Sequence, residues 1–324
     1  MRLWTASVAV VPHVAAALLL AAQPRDRAPS APRDEARTLV VGSPPARAPE
    51  TRAAPPRDEP ARTLTMTLEH GEAVPEGHPN TWVHLPATHG ARELALTFVF
   101  HGFKNCIESY TGAGTHCRRD HDPRPGYELA AQLEREGSSS IVVVPETSFD
   151  TESAEAPALA MHGAFRAYVG EVLAALAPEV GEARLEDVRR VALVASSGGY
   201  QALEPILADA GPLVTDVLLL DAGYMYPNST VGRFLGTVSA ELAAGASAHR
   251  LGILYTPGGG ALHTSFALRE IAERAAGGLA RVGRFRTDPP LDALRAPLYV
   301  YRVDEEHDVV VRRNMGRVLA AAGL

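Results

Sequence analysis

Val191-Ala192-Leu193-Val194-Ala195-Ser196-Ser197-Gly198-Gly199-Tyr200 is the stretch on which the reading of this 324-residue chain turns. Its first four residues form a short, continuous apolar run bounded by small residues, the pattern of a buried strand. The residues from Tyr200 to Ala208 are rich in Ala and Leu and suit a helix. Between them lies a tight turn of small residues, so the whole reads strand, turn, helix. The motif for a serine presented on such a turn is usually written G-x-S-x-G, and here it stands as Ala-Ser-Ser-Gly-Gly. The turn is sharp enough that the residues two before and two after its apex must be small, and Ala195 and Gly199 both are. Ser197 is then expected at the apex with its hydroxyl accessible. The backbone N–H of Gly198 is expected at the helix N-terminus, where partial positive charge favours a developing oxyanion. The same letters also suit an ordinary glycine-rich turn with a serine cap, so the surroundings must decide.

Outward from this turn, strands and helices alternate. Short apolar runs at 81–85, 94–100, 141–144, 191–194, 217–220, 252–255 and 298–303 read as strands. Helix-compatible stretches lie at 127–136, 158–177, 200–208, 231–244, 265–276 and 309–321. This alternation predicts one α/β domain: a doubly wound, mostly parallel sheet covered by helices on both faces, without a large lid domain. The runs Val217-Leu218-Leu219-Leu220 and Ile141-Val142-Val143-Val144 are apolar throughout, as strands covered on both sides should be. In such a sheet the ligand site lies at the carboxyl ends of the strands, so the residues just after each run matter most.

Three of those ends carry chemistry. The run ending at Phe100 continues into His101-Gly102-Phe103, the run ending at Leu220 into Asp221, and the last run into Asp304-Glu305-Glu306-His307-Asp308. Together with the turn at Ser197, over roughly residues 80–324, this resembles the α/β-hydrolase superfamily. The resemblance implies a Ser-His-Asp triad, with Ser197 as nucleophile, His307 as general base and an acyl-enzyme intermediate. The N–H groups of Phe103 and Gly198 would form the oxyanion hole, and His101 would orient its loop. The acid usually follows the penultimate strand, but Tyr255-Thr256-Pro257-Gly258-Gly259-Gly260 contains no carboxylate. Asp221 lies one strand earlier, a variant position in the superfamily, and is the expected acid. Asp304, Glu305 and Glu306 are the alternatives, and Glu146 is a remoter one that would otherwise line the pocket. The physical requirement is only that a carboxylate accept an N–H of His307 and so fix its tautomer.

The implied activity is hydrolysis of an ester or amide of a small-molecule or short-chain substrate, as a carboxylic ester hydrolase without a cofactor. Phe103, Tyr110, Tyr200, Tyr224 and Tyr226 near the strand ends favour substrates of modest size. An imidazole base also predicts activity that falls in acid, where histidine titrates, at about pH 6.5 for the free side chain. Two other functions fit parts of the chain. One is a hydrolase-like protein whose pocket only holds a ligand, if acid or base is misplaced. The other is a metal-assisted hydrolase built on His116, Cys117, Asp120 and His121, although that spacing matches no familiar zinc module.

The remaining features concern location and partners. Arg2 and an apolar run from Val8 to Ala22, interrupted by Pro12 and His13 and closed by small residues, read as a signal peptide over 1–23 rather than a stable membrane span. Residues 24–62 are rich in Pro, Ala and Arg and contain a near-repeat beginning at Pro32 and Pro56, which reads as a disordered linker preceding a domain at 63–324. Secretion, or residence in the periplasm or cell envelope, is therefore expected. In that oxidising setting the two cysteines, Cys106 and Cys117, are expected to form a disulfide. The 31 basic and 38 acidic residues leave a net charge of −7 with no basic, aromatic-laced stripe, which argues against a nucleic-acid partner. Lys104 is the sole lysine. The excess of Arg and Ala is what a GC-rich genome produces and carries no function.

Overall fold

The seven expected strands and two more build a nine-stranded sheet: β1 (Arg62–Met66), β2 (Thr81–Leu85), β3 (Leu94–Phe100), β4 (Ile141–Pro145), β5 (Val188–Ser196), β6 (Asp216–Leu220), β7 (Arg250–Tyr255), β8 (Arg281–Phe285) and β9 (Leu298–Val303). The structure is a computed structural model. It describes residues 60–87, 94–112, 114–115, 117, 124–149, 153–223, 228–258 and 280–324. The expected signal segment, most of the linker and the helix at 265–276 lie outside the described residues.

Side chains alternate across a strand, and this period of two sorts each apolar run into two cores. In β5, Val191, Leu193 and Ala195 join one buried cluster, while Ala192 and Val194 join the other. The first cluster is closed by α3 (Ala164–Val180), α4 (Tyr200–Ala210) and α5 (Thr230–Ala243). The second is closed by α1 (Ile107–Thr111), α2 (Leu129–Glu136), α6 (Leu291–Leu294) and α7 (His307–Ala321). Strand order is β1-β2-β4-β3-β5-β6-β7-β9-β8. The β1–β2 and β2–β4 pairs are antiparallel and all others parallel. The result is a mostly parallel, doubly wound sheet of the α/β-hydrolase type.

The two strands beyond the seven have a common cause. β1 and β8 are the edges of the sheet, and their residues are part-buried or exposed, none fully buried. Arg-Thr-Leu-Thr-Met and Arg-Val-Gly-Arg-Phe therefore lack the continuous apolar signature of a central strand, as edges commonly do. Helix α3 starts at Ala164 rather than at 158 because Gly163 stands at φ 75°, outside helical space. The Gly163 N–H instead donates to Asp209 Oδ2 at 2.8 Å.

Cys106 and Cys117 form the expected disulfide, with Cα atoms 5.4 Å apart across 11 residues of sequence. Closing a loop of this size stabilises a fold by about 2–3 kcal/mol, mainly by restricting the unfolded chain. The double variant Cys106→Ser/Cys117→Ser is expected to lose that much in urea unfolding, matching the reduced wild-type protein. Equal stability of oxidised and reduced protein would contradict this.

His84 in β2 is 1% exposed, stacked on Trp82, and its Nδ1 has no hydrogen-bond partner among the described residues. Burial holds its pKa below the ordinary histidine value of 6.5, against a weaker opposing pull from Glu134. Because the folded-state pKa lies below the unfolded one, the neutral ring contributes stability above pH 6.5 that is lost as pH falls through the lowered value. His70 beside Glu171 has its pKa raised and so acts with the opposite sign. It is common to wild type and a His84→Phe variant, however, and cancels in their difference. Urea unfolding at pH 7.5 and pH 5 should show wild type losing more stability than His84→Phe, and parallel losses would refute the assignment. Among the described residues no helix is long and apolar enough to cross a membrane.

Candidate active site

Parallel pairing brings the strand-end residues together at the carboxyl end of the sheet. Ser196, the last residue of β5, pairs with Leu220, the last of β6, and Leu220 pairs with Leu254 of β7. Ser197 and Asp221 therefore follow paired residues on adjacent strands, about 5 Å apart in the hydrogen-bonding direction. Both turn away sharply. Ser197 has φ 49° and Asp221 has φ 47°, two of four non-glycine residues in the left-handed region among the described residues. Such conformations cost of order 1–3 kcal/mol each and cluster at functional sites.

The turn at Ser197 is a single 3₁₀ turn, Ser197–Gly199, leading into α4. Its small residues are required by contact. A Cβ at position 199 would lie 2.3 Å from the carbonyl oxygen of Phe100, and one at Gly102 would lie 2.9 Å from the Ser197 Cβ. The His101-Gly102-Phe103 loop is thus packed directly on the serine turn. A Cβ at Gly198 would meet the Phe103 backbone nitrogen at 2.9 Å, so the two backbone groups expected to donate to an oxyanion are neighbours. The Phe103 ring is 44% exposed, with the Lys104 ammonium 5.5 Å from its centre.

Asp221 is wholly buried, and a buried carboxylate must be compensated by donors. Its Oδ1 accepts the Thr256 N–H at 3.0 Å, and its Oδ2 accepts the Thr256 hydroxyl at 2.5 Å. The same Oδ2 lies 2.6 Å from Nδ1 of His307, whose side chain is one-third exposed and opens α7. The carboxylate thereby fixes the imidazole with Nδ1 toward Asp221, leaving Nε2 as the nitrogen a base would present to a hydroxyl.

Two of the alternative acids are engaged elsewhere: Asp304 bonds Arg284 and Arg302, and Glu305 bonds Arg313. Glu306 stands at the N-cap of α7 without a side-chain capping bond. Glu146, after β4, bonds the ring of His101 at 2.6 Å and the Ile107 N–H at 3.1 Å, while the Thr147 N–H lies 3.2 Å from both Glu146 and His101. His101 is thus held in a buried polar cluster beneath its loop. In the alternative metal set, the Cys117 sulfur is bonded to Cys106, and His116, Asp120 and His121 lie outside the described residues. Tyr224 and Tyr226 lie outside them as well.

Sequence reasoning passed over two parts of this site. Thr256 lies at the end of β7, where a carboxylate was sought, and supplies instead the hydroxyl and N–H that hold the carboxylate of the next strand. The strand-end rule would have flagged it had donors been counted beside acids. The Glu146–His101 pair joins residues 45 apart in sequence, and nothing local signals it.

No family model matches the chain, and no curated protein matches it in sequence. Solved structures of similar fold include a feruloyl esterase module from Clostridium thermocellum complexed with sinapinate. It is 13% identical with a TM-score of 0.49, over 83% of this chain and 92% of that one. The enterobactin esterase from Shigella flexneri is 13% identical with a TM-score of 0.40, over 82% of this chain and 60% of that one. A glucuronoyl esterase from Solibacter usitatus is 12% identical with a TM-score of 0.36, over 83% of this chain and 87% of that one.

Proposed function

We propose that this protein is a serine hydrolase that cleaves a carboxylic ester through Ser197, His307 and Asp221. The observation that carries the reading is the 2.6 Å bond between Nδ1 of His307 and the buried Asp221, which follows the strand adjacent to the one that leads into Ser197. In the proposed reaction Nε2 of His307 removes the Ser197 proton as the hydroxyl oxygen attacks the acyl carbon. The Gly198 and Phe103 N–H groups receive the oxyanion, and the imidazolium returns its proton to the leaving alcohol. Water then repeats the sequence on the acyl-enzyme, releasing the acid and regenerating Ser197. Asp221 stabilises the transient imidazolium and stays ionised throughout. An ester suits this arrangement better than an amide because an alcohol leaves with less protonation than an amine.

The direct test is to treat the purified protein with a fluorophosphonate, locate the adduct by peptide mass mapping, and assay a series of p-nitrophenyl acyl esters. Phosphonylation at Ser197 together with ester turnover is the expected result, because serines lacking a base do not react. Absence of both would leave a ligand-binding role for the pocket. Turnover that is abolished by a chelator but needs no Ser197 would point to the metal-assisted alternative.

A further inference from the structure

The residue before the proposed nucleophile has a partner that the reaction scheme does not use. Ser196 is fully buried, and its hydroxyl is hydrogen-bonded to that of Tyr110, also fully buried, on α1. The Ser196–Gly198 turn packs on the loop that carries the Phe103 N–H: a Cβ at Gly102 would lie 2.9 Å from the Ser197 Cβ and 3.2 Å from the Ser196 carbonyl oxygen. The phenol oxygen therefore holds the turn that carries Gly198, while its ring stands beside His101 at the start of the loop that carries Phe103.

The ring that carries this oxygen is held from several directions. Tyr127 packs edge-on against it at 4.6 Å between centres, and His101 lies 6.1 Å away. The N-cap of α1 is Cys106, tethered by the disulfide, and the next N–H, from Ile107, is bound by Glu146. Burial pushes the Tyr110 phenol well above its ordinary pKa, so it stays a neutral hydroxyl at any pH the fold tolerates. A buried phenol forfeits hydration and needs partners, yet a phenylalanine would fill the same space without that demand.

We infer that Tyr110 is a positioning residue, its hydroxyl tying the Ser196–Gly198 turn to α1, the helix that follows the Gly102–Phe103 loop, so that the two oxyanion donors keep the spacing that the transition state needs. The inference rests on the proposed serine-hydrolase reading. Tyr110 itself touches no reacting atom. Its influence passes through Ser196, and small displacements of the neighbouring donors are costly, since a shift of about 1 Å can cost 10²-fold in rate.

The test is kinetic. Tyr110→Phe removes only the hydroxyl, and Ser196→Ala removes the other end of the same bond, so either variant reports if the other fails to fold. Each is expected to lower kcat on a p-nitrophenyl ester by about 10- to 100-fold with KM changed less than about threefold. Affinity for a boronic acid transition-state analogue should weaken in proportion to kcat, which a merely structural defect would not produce. The double variant should be no slower than about the worse single one, because one bond cannot be lost twice. Single variants with wild-type kcat, or losses that multiply in the double variant, would overturn the inference. Fluorophosphonate labelling of wild type separates the two levels of argument: if wild type neither labels nor turns over, the serine-hydrolase reading fails first. If it does both and the variants match it, only the role of Tyr110 falls.

Discussion

Ser197→Ala is expected to abolish fluorophosphonate labelling and to lower kcat on activated esters by about 10⁴- to 10⁶-fold, since no other step in the proposed sequence forms the covalent intermediate. The fold should be untouched. Ser197 is half-buried at the end of a strand whose core contacts come from Val191 to Ala195, and alanine is small enough for a turn already crowded by Gly102 and Phe100. Circular dichroism and a urea melt should therefore match wild type while activity is lost. A residual rate above the uncatalysed one is expected, because the neighbouring N–H donors survive. Retention of most of the activity would remove the proposed nucleophile and with it the acyl-enzyme.

Asp221→Asn should cost about 10⁴-fold in kcat, the second largest effect, while leaving ester binding nearly unchanged. The carboxylate accepts from three donors: the Thr256 N–H, the Thr256 hydroxyl and Nδ1 of His307. An amide retains one acceptor oxygen and introduces an N–H₂ group. With the oxygen held by Thr256, the NH₂ faces the imidazole and forces Nδ1 to accept. The ring proton then moves to Nε2, the nitrogen that must be unprotonated to act on a serine. The rate measured with substrate in excess reports this tautomer change, and KM shows whether the pocket is intact. Asp304→Asn is the natural control, because Asp304 is committed to Arg284 and Arg302 near the surface, where such pairs contribute little. If Asp304→Asn abolished turnover and Asp221→Asn did not, the acid would have been assigned to the wrong strand.

The legible and illegible parts of this molecule divide along a physical line. Central strands were readable because burial on both faces demands unbroken apolar runs such as 141–144 and 217–220. The edge strands Arg62–Met66 and Arg281–Phe285 were not, because a part-exposed strand tolerates Arg, Thr and Gly. The small residues around Ser197 were readable because sterics at a sharp bend leave few choices, and the 2.3 Å approach at Gly199 gives that constraint a value. The proposed acid was legible as a first choice, Asp221, with four alternatives beside it. Asp221, Asp304, Glu305, Glu306 and Glu146 all lie near strand ends, and a carboxylate has the same letter whether it meets an imidazole or an arginine.

By itself the amino-acid sequence determined the alternation of elements, the crowded bend at Ser197 and the position of Asp221 and His307 just after apolar strands, because hydrophobic period and local sterics act between residues close along the chain. Only the tertiary structure decided which carboxylate meets His307, that Thr256 holds that carboxylate, and that Tyr110 reaches Ser196 across 86 residues. Those choices rest on hydrogen bonds of about 3 Å range between segments remote in sequence. Strand order and register, rather than any local pattern, bring such groups within reach.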